Sequence, residues 1–427
     1  MTGQSYEEDL LADVPVRIGD HVFADLADDL HDQGQYRILL VADENTYQAC
    51  GRQVANTLNE VGLALKEVIL LNQPWVTADE ASIIQVLQAL DGQEHLVIAV
   101  GSGTITDIVR YVAYQTRLPF ISIPTAASVD AYTSFNAAVT LRQVKYSVPA
   151  KTARTVYAHL PTLCAAPHRL TASGFSDMVA KYTALVDWEL AHLLTGDAYS
   201  DIVAQQAWEA VQACASHAKA IQLAEPQGIA TLFDGLSISG GCMVVMKSSR
   251  PAAGAEHSLA HYWEMYHQIH HLPKSLHGEK TGIASVIVAR LYEKLRCLSL
   301  QEAAQRLENF HLPDPQGEAT RLRAFLGPTA EILIANQPSF IGKMREKFPQ
   351  VKANLLAHWD IVQAIASKVP SPEEITALLE TAGALSDPDK IHVPVTEVEQ
   401  ALENAMYIRD RLTILELNQM LRLIPIK

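Results

Sequence analysis

The feature that most constrains what this chain can fold into is a change of period. Over the first third, short apolar runs alternate with segments of helical spacing, and after about residue 170 the runs stop. Arg37-Ile-Leu-Leu-Val-Ala42, ending in Asp43, is almost continuously apolar, which suits a strand covered on both faces. Thr46–Val61 follows a helical period, and Leu65–Leu71 returns to strand character. Thr77 with Glu80 predicts a capping box opening a helix through Leu90. Leu96–Val100 reads as the next buried strand, Ile105–Gln115 as a helix and Pro119–Ile123 as a strand. Alternation of this kind predicts parallel βαβ units in a doubly wound sheet.

Downstream, Ser176–Leu193, Ile202–Leu223 and Thr281–Leu295 carry apolar residues three and four apart. Ser371-Pro-Glu-Glu374 reads as a helix start with Ser as cap, and Thr396 with Glu399 predicts a capping box ahead of the last helix. The expected architecture is an α/β domain with a mainly parallel sheet over residues 1–168, followed by an all-helical domain over 169–427. Ligand sites favour the cleft that such a junction makes.

Composition excludes several functions. Lys plus Arg number 33 against 48 Asp plus Glu, a net charge of −15, opposite to what a nucleic-acid surface needs. No uninterrupted apolar run approaches the ~20 residues that cross a bilayer. The opening, Met1–Asp9, is polar and acidic, unlike a signal peptide. The five cysteines lie far apart, without a Cys-x-x-Cys pair, and read as reduced and mostly buried. The expectation is a soluble cytoplasmic protein with neither nucleic acid nor membrane as partner.

Three segments carry chemistry. Gly101-Ser-Gly-Thr-Ile-Thr-Asp107 joins a predicted strand to a helix, where glycines let a phosphate approach the backbone and a helix start offers N–H groups. It lacks the full dinucleotide fingerprint, so a tight turn explains it equally well on the motif alone. Pro124–Ser134 follows the next strand, and Thr125, Ser128 and Ser134 are candidates for a cofactor, with Asp130 for substrate. Six of the 16 histidines fall between His257 and His277. His257 and His261 share a helix face, and a glycine-bearing turn at His277 could swing its ring toward that face. Imidazoles favour zinc-like metals. His267, His270 and His271 read as a solvated surface. Asp177, expected at a helix start, is by itself an ordinary capping or dipole-compensating residue.

Taken in order, Gly101–Asp107, Pro124-Thr125 with Ser128-x-Asp130, Gly174-x-x-Asp177, Gly254-Ala-Glu-His257 and His277-Gly-Glu-Lys280 resemble sn-glycerol-1-phosphate dehydrogenase over roughly residues 35–300. That family belongs to the metal-dependent alcohol dehydrogenases with a dehydroquinate synthase-like fold. Ser102 and Ala131 stand where many relatives carry glycine. The resemblance implies that Asp177, His257 and His277 hold one divalent metal, zinc or nickel, with iron admissible. It implies that Gly101, Ser102, Gly103, Thr104, Asp107, Thr125, Ser128 and Ser134 line an NAD or NADP site, and that Asp130, Asp177 and His261 meet the substrate. Asp43, at a strand end, reads either as a ribose acceptor or as a helix cap. The substrate implied is a small phosphorylated three-carbon ketone, with Arg250 and Lys280 favoured over Lys145 and Lys151 as its cations, and the assembly a homodimer or larger. The alternatives are a dehydrogenase of an unphosphorylated polyol such as glycerol, or a catalytically silent NAD- and metal-binding interaction protein.

Overall fold

The computed structural model describes residues 14–32, 37–71, 75–141, 144–327, 330–335 and 339–424, so the acidic opening lies outside them. The chain forms two compact units that do not follow one another simply in sequence. One comprises Met1–Met178 with Ser216–Ser248, the other Val179–Ala215 with Ser249–Lys427.

The first unit is built on a six-stranded sheet. Its strands are β1 (Val16–Gly19), β2 (Arg37–Asp43), β3 (Ala64–Leu70), β4 (Leu96–Val100), β5 (Phe120–Ile123) and β8 (Val156–His159), with an antiparallel hairpin of β6 (Asn136–Leu141) and β7 (Val144–Pro149) apart from it. The order is β1-β8-β5-β4-β2-β3, parallel throughout. The four strands expected from apolar runs are present. β1 and β8 are four residues each, too short to leave a periodic signal. Every residue of β4 is buried, and Ile38, Leu40 and Ala42 of β2 join Ile98 and Val100 in one core with α1 (Val22–Asp32) and α2 (Arg52–Glu60). Each buried Leu or Ile contributes roughly 1.5–3 kcal/mol.

Two local expectations need correcting. The helix expected over Thr46–Val61 contains a π turn at Tyr47–Gly51 before α2. Asp79 rather than Thr77 caps α3 (Glu80–Ala89), its carboxylate accepting from Ser82 N at 3.0 Å. After β4 come α4 (Gly103–Thr116) and, beyond the sheet, α5 (His168–Val179). Helix Pro226–Met246 is long and apolar enough on average to cross a bilayer. It packs within the first unit, where a Cβ at Gly228 would lie 2.6 Å from the backbone of Ala220.

No strand occurs in the second unit among the described residues. Its elements include α6 (Lys181–Thr195), α7 (Ala255–Ile269), α8 (His277–Arg296) and α9 (Ile414–Leu421). Ser371 caps helix Pro372–Thr381 as expected. Thr396, however, lies inside helix Val395–Asn404, which starts after Pro394, and the capping box before the last helix is Thr413 with Glu416. The centre of this unit is Asp187 on α6, a fully buried carboxylate. Its Oδ1 accepts from Tyr292 Oη at 2.6 Å and Ile414 N at 2.7 Å, and its Oδ2 from Ala255 N at 2.7 Å. One side chain thus joins α6, α7, α8 and α9.

Burial pushes the Asp187 carboxyl up to about 7 and that of Glu416 up to about 8. Ordinary carboxyls in the unfolded chain release their protons near pH ~4. The folded unit therefore holds protons that the unfolded chain has lost, so the stability these groups contribute is full below about pH 4 and is lost as pH rises through about 7 to 8. Glu416→Gln should flatten the fall in Tm between about pH 5 and 8 relative to the parent chain. Parallel Tm curves for the two proteins would show that Glu416 does not titrate in this window.

Candidate active site and metal ligands

In the first unit the strand order turns at β2 and β4. β3 lies outside β2, while β4 and β5 run the other way. The carboxyl ends flanking such a switch point are where doubly wound sheets take ligands. Asp43 ends β2, and Gly101-Ser102-Gly103 follows β4. Asp43 accepts from Thr46 N at 2.8 Å and caps the next helical turn, so the capping reading of this residue describes what it does here. Ser102 occupies the N-cap of α4 without a side-chain cap bond, which leaves the first N–H groups of α4 without the usual side-chain acceptor. Gly101 is needed for space, because a Cβ there would lie 2.5 Å from Ile105 Cγ1.

The second polar loop is clamped by a residue that the sequence reading passed over. Arg110 of α4 is fully buried and donates to Ser134 Oγ at 2.8 Å and to the carbonyls of Asn136 at 2.7 Å and Tyr132 at 3.1 Å. Asp107 lies 4.0 Å away and favours its charge, although burial pushes the guanidinium down. Ser134 is therefore engaged in holding the loop. Tyr132 Oη donates to Ala126 O at 2.6 Å, so Ser128 Oγ, 3.3 Å from it, is the donor in that pair. Thr125 is buried in the same loop.

Asp177 is not at a helix start. It lies in the last turn of α5, where the helix dipole disfavours an anion, and is fully buried. Its Oδ2 accepts from Asp130 N at 3.2 Å, while Asp130 Oδ2 accepts from Ser239 Oγ at 2.8 Å. Gly174, one turn earlier, permits this approach, since a Cβ there would lie 2.0 Å from Ala127 O.

In the second unit, His257 and His261 lie on α7 and His277 is the first residue of α8, not part of a turn. The three rings cluster, with centroids 5.2 Å apart for His257 and His277, 5.7 Å for His261 and His277, and 6.5 Å for His257 and His261. Glu256, also missed from sequence, sets the first ring. Its Oε1 accepts from Gly254 N at 2.6 Å and its Oε2 from Thr183 Oγ1 at 2.7 Å, so the carboxylate is an acceptor and His257 Nδ1, 2.8 Å from Oε1, is the donor. The ring lone pair is thereby placed on Nε2. A carboxylate behind a histidine is the usual support of a metal-ligating imidazole. Burial pushes Glu256 above the ordinary carboxyl range, and these donors pull it back.

Glu264 organises the other two rings. It lies 3.0 Å from His261 Nδ1 and 3.5 Å from both His277 Nδ1 and Lys280 Nζ. The buried Nδ1 of His277 makes no hydrogen bond among the described residues. Arg409 donates to His261 Nε2 at 3.0 Å, so His261 carries its proton on Nδ1 and gives it to Glu264. Lys280 is buried, donating to Ser275 O at 2.6 Å, and Arg250 pairs with Asp197. Lys151 donates to Arg117 O at 3.4 Å, and the side chain of Lys145 lies outside the described set. His270 and His271 are exposed as expected, but His267 is buried, and burial pushes its imidazole down to about 4.

The parallel doubly wound sheet and the helical unit have the fold of the iron-containing alcohol dehydrogenase class. The family described as iron-containing alcohol dehydrogenase matches residues 17–167. An iron-containing alcohol dehydrogenase from Corynebacterium glutamicum has the same fold, with a TM-score of 0.62 at 15% identity, covering 96% of this chain and 93% of that one. The glycerol-1-phosphate dehydrogenase [NAD(P)+] of Geobacillus stearothermophilus is 34% identical over 411 residues, 94% of this chain and 92% of its own. That of Bacillus subtilis is 40% identical over 280 residues, 65% and 71% of the two chains. The chain belongs to the glycerol-1-phosphate dehydrogenase [NAD(P)+] family.

If His257 holds a metal, replacing Glu256 by Gln should weaken the binding of added zinc roughly 10–100-fold, because the carboxylate behind the ring is lost. Competition with a chromogenic chelator measures this, and an unchanged affinity would show that His257 does not bind metal through the geometry described.

Proposed function

We propose that this chain catalyses reversible hydride transfer between NAD(P)H and dihydroxyacetone phosphate, producing sn-glycerol 1-phosphate. The reading is supported by the glycerol-1-phosphate dehydrogenases it matches along most of its length. The observation that carries it is His257, its Nδ1 held by buried Glu256 and its ring beside that of His277. Asp177, His257 and His277 together offer one carboxylate and two imidazoles, a donor set suited to zinc, nickel or iron, and we assign them one divalent metal. A cation there would also offset the burial of Asp177 at the unfavourable end of its helix. When bound, such a metal supplies Lewis acidity toward the ketone oxygen, and the nicotinamide supplies hydride.

The chain's own residues do the rest. Gly101, Ser102, Gly103 and Thr104 present backbone at the switch point for the cofactor pyrophosphate, with Asp107, Thr125, Ser128 and Ser134 framing that loop and Asp43 nearest a ribose. Asp130, held by Ser239, meets the substrate hydroxyls together with Asp177. His261, whose Nδ1 proton is directed to Glu264, is assigned to the substrate and to the proton path of the alcohol oxygen. Arg250 and Lys280, the cations named from the motifs, are each paired with a carboxylate, Asp197 and Glu264. The cofactor residues then lie within 1–168 and all three metal ligands within 169–427, in a cytoplasmic homodimer or larger assembly.

Oxidation of NADH and NADPH should be followed with dihydroxyacetone phosphate, before and after chelation and again after adding zinc, nickel or iron. Chelation should lower the rate on the order of a hundredfold or more, with recovery on re-addition. A full rate in metal-free protein would contradict the reading, and dihydroxyacetone reduced as well as its phosphate would replace it by a polyol dehydrogenase.

A further inference from the structure

The motifs near the histidines leave the substrate's phosphate poorly served. Lys280 lies 3.5 Å from Glu264, and Arg250 is paired with Asp197, which also takes Lys347 at 3.1 Å. The charge of each is already met by a carboxylate. A different pair of cations arrives from the far end of the chain. In Arg409-Asp410-Arg411, between Ile408 and α9, Arg411 N donates to Arg409 O at 3.0 Å and closes a tight turn. That turn puts both side chains on one oxygen. Arg409 donates to Ser249 Oγ at 3.0 Å and Arg411 donates to the same atom at 2.9 Å.

Three features of this arrangement call for an anion. Two guanidiniums sharing one hydroxyl repel each other, and neither forms an ion pair with a carboxylate among the described residues. Both are partly buried, and burial pushes each below its ordinary range, with Arg409 and Arg250 pushing Arg411 down further. The Glu256, Glu264 and Asp187 carboxylates offset this only in part. Ser249 Oγ accepts twice, so its own O–H is left as a donor, with no acceptor among the described residues. Two forked cations and a hydroxyl donor are the groups that recognise a tetrahedral oxyanion.

The location matches the chemistry. Arg409 also donates to His261 Nε2 at 3.0 Å, and the ring of His261 is 5.7 Å from that of His277. In dihydroxyacetone phosphate only one carbon and one oxygen separate the ketone carbon from phosphorus, so the phosphate must be held close to the groups that serve the ketone. We propose that Arg409, Arg411 and Ser249 bind the phosphate of the substrate. This rests on the proposed function, since it names the phosphate site of the same reaction.

Arg411 is the residue to vary, because it touches Ser249 and the carbonyl of Ala253 but not the histidines. Arg411→Met, Arg411→Lys and Ser249→Ala should be compared with the parent for kcat/KM on dihydroxyacetone phosphate and on dihydroxyacetone. The Kd of inorganic phosphate should be measured separately by calorimetry. Arg411→Met should lower the ratio of the two kcat/KM values about tenfold or more and weaken phosphate binding similarly, with Arg411→Lys restoring part of both. Ser249→Ala should act in the same direction more weakly. Equal losses on both substrates, or a phosphate Kd unaltered in all three variants, would reduce the arginines to a structural clamp and overturn the proposal. If the parent ignores dihydroxyacetone phosphate while its phosphate binding still depends on Arg411, the anion site stands and the proposed reaction falls.

Discussion

Two carboxylates at the start of one helix organise the second unit. Asp187 accepts from Ala255 N, and Glu256 accepts from Gly254 N, so the exposed N–H groups at the head of α7 are met by buried acids. Negative charge is favoured there by the helix dipole, which helps offset the desolvation that raises both groups. Gly254 is the residue that allows the approach, because a Cβ would lie 2.5 Å from Asp187 Oδ2 and 2.9 Å from Ala184 Cα. The direction of His257 follows directly, since Glu256 holds its Nδ1. Asp187 reaches further, to Tyr292 on α8 and to Ile414 at the head of α9. The helix carrying His277 and the segment just after Arg411 are thus tied to Asp187, which also holds Ala255 N at the head of the helix that carries His257.

The first unit uses the opposite charge for a similar purpose. Arg110 is sealed in the core and spends its donors on Ser134 and on backbone carbonyls of the loop after β5. That loop carries Asp130, whose backbone reaches Asp177. A buried guanidinium has many donors in a rigid fork and is well suited to fixing an irregular segment that cannot pair with itself. The glycine loop needs no such clamp, because β4 and α4 hold its two ends.

Much of the first unit was legible in the sequence because strands β2, β4 and β5 are buried and read as apolar runs, while the edge strand β3 keeps enough apolar residues around Lys66 and Glu67 to be read as a strand. β1 and β8 were not legible, since four residues carry no period. The continuous helical pattern from Ser176 to Leu193 concealed a break, with α5 ending at Val179 and α6 beginning at Lys181. That break is why Asp177 falls at the end of a helix and not at its start. The candidate ligands were legible as a string of motifs, but their supports were not. Glu256 and Glu264 look like ordinary helical acids until the rings beside them are seen. Arg409 and Arg411 gain meaning only from a contact with Ser249, distant in sequence.

The central claim is that one carboxylate and two imidazoles share a metal. Elemental analysis of the purified chain and of Asp177→Ala, His257→Ala and His277→Ala, each checked for folding by its Tm, tests it without reference to turnover. The account predicts about one divalent ion per parent chain and only a small fraction of that in each folded variant. Undiminished metal content in all three would contradict it.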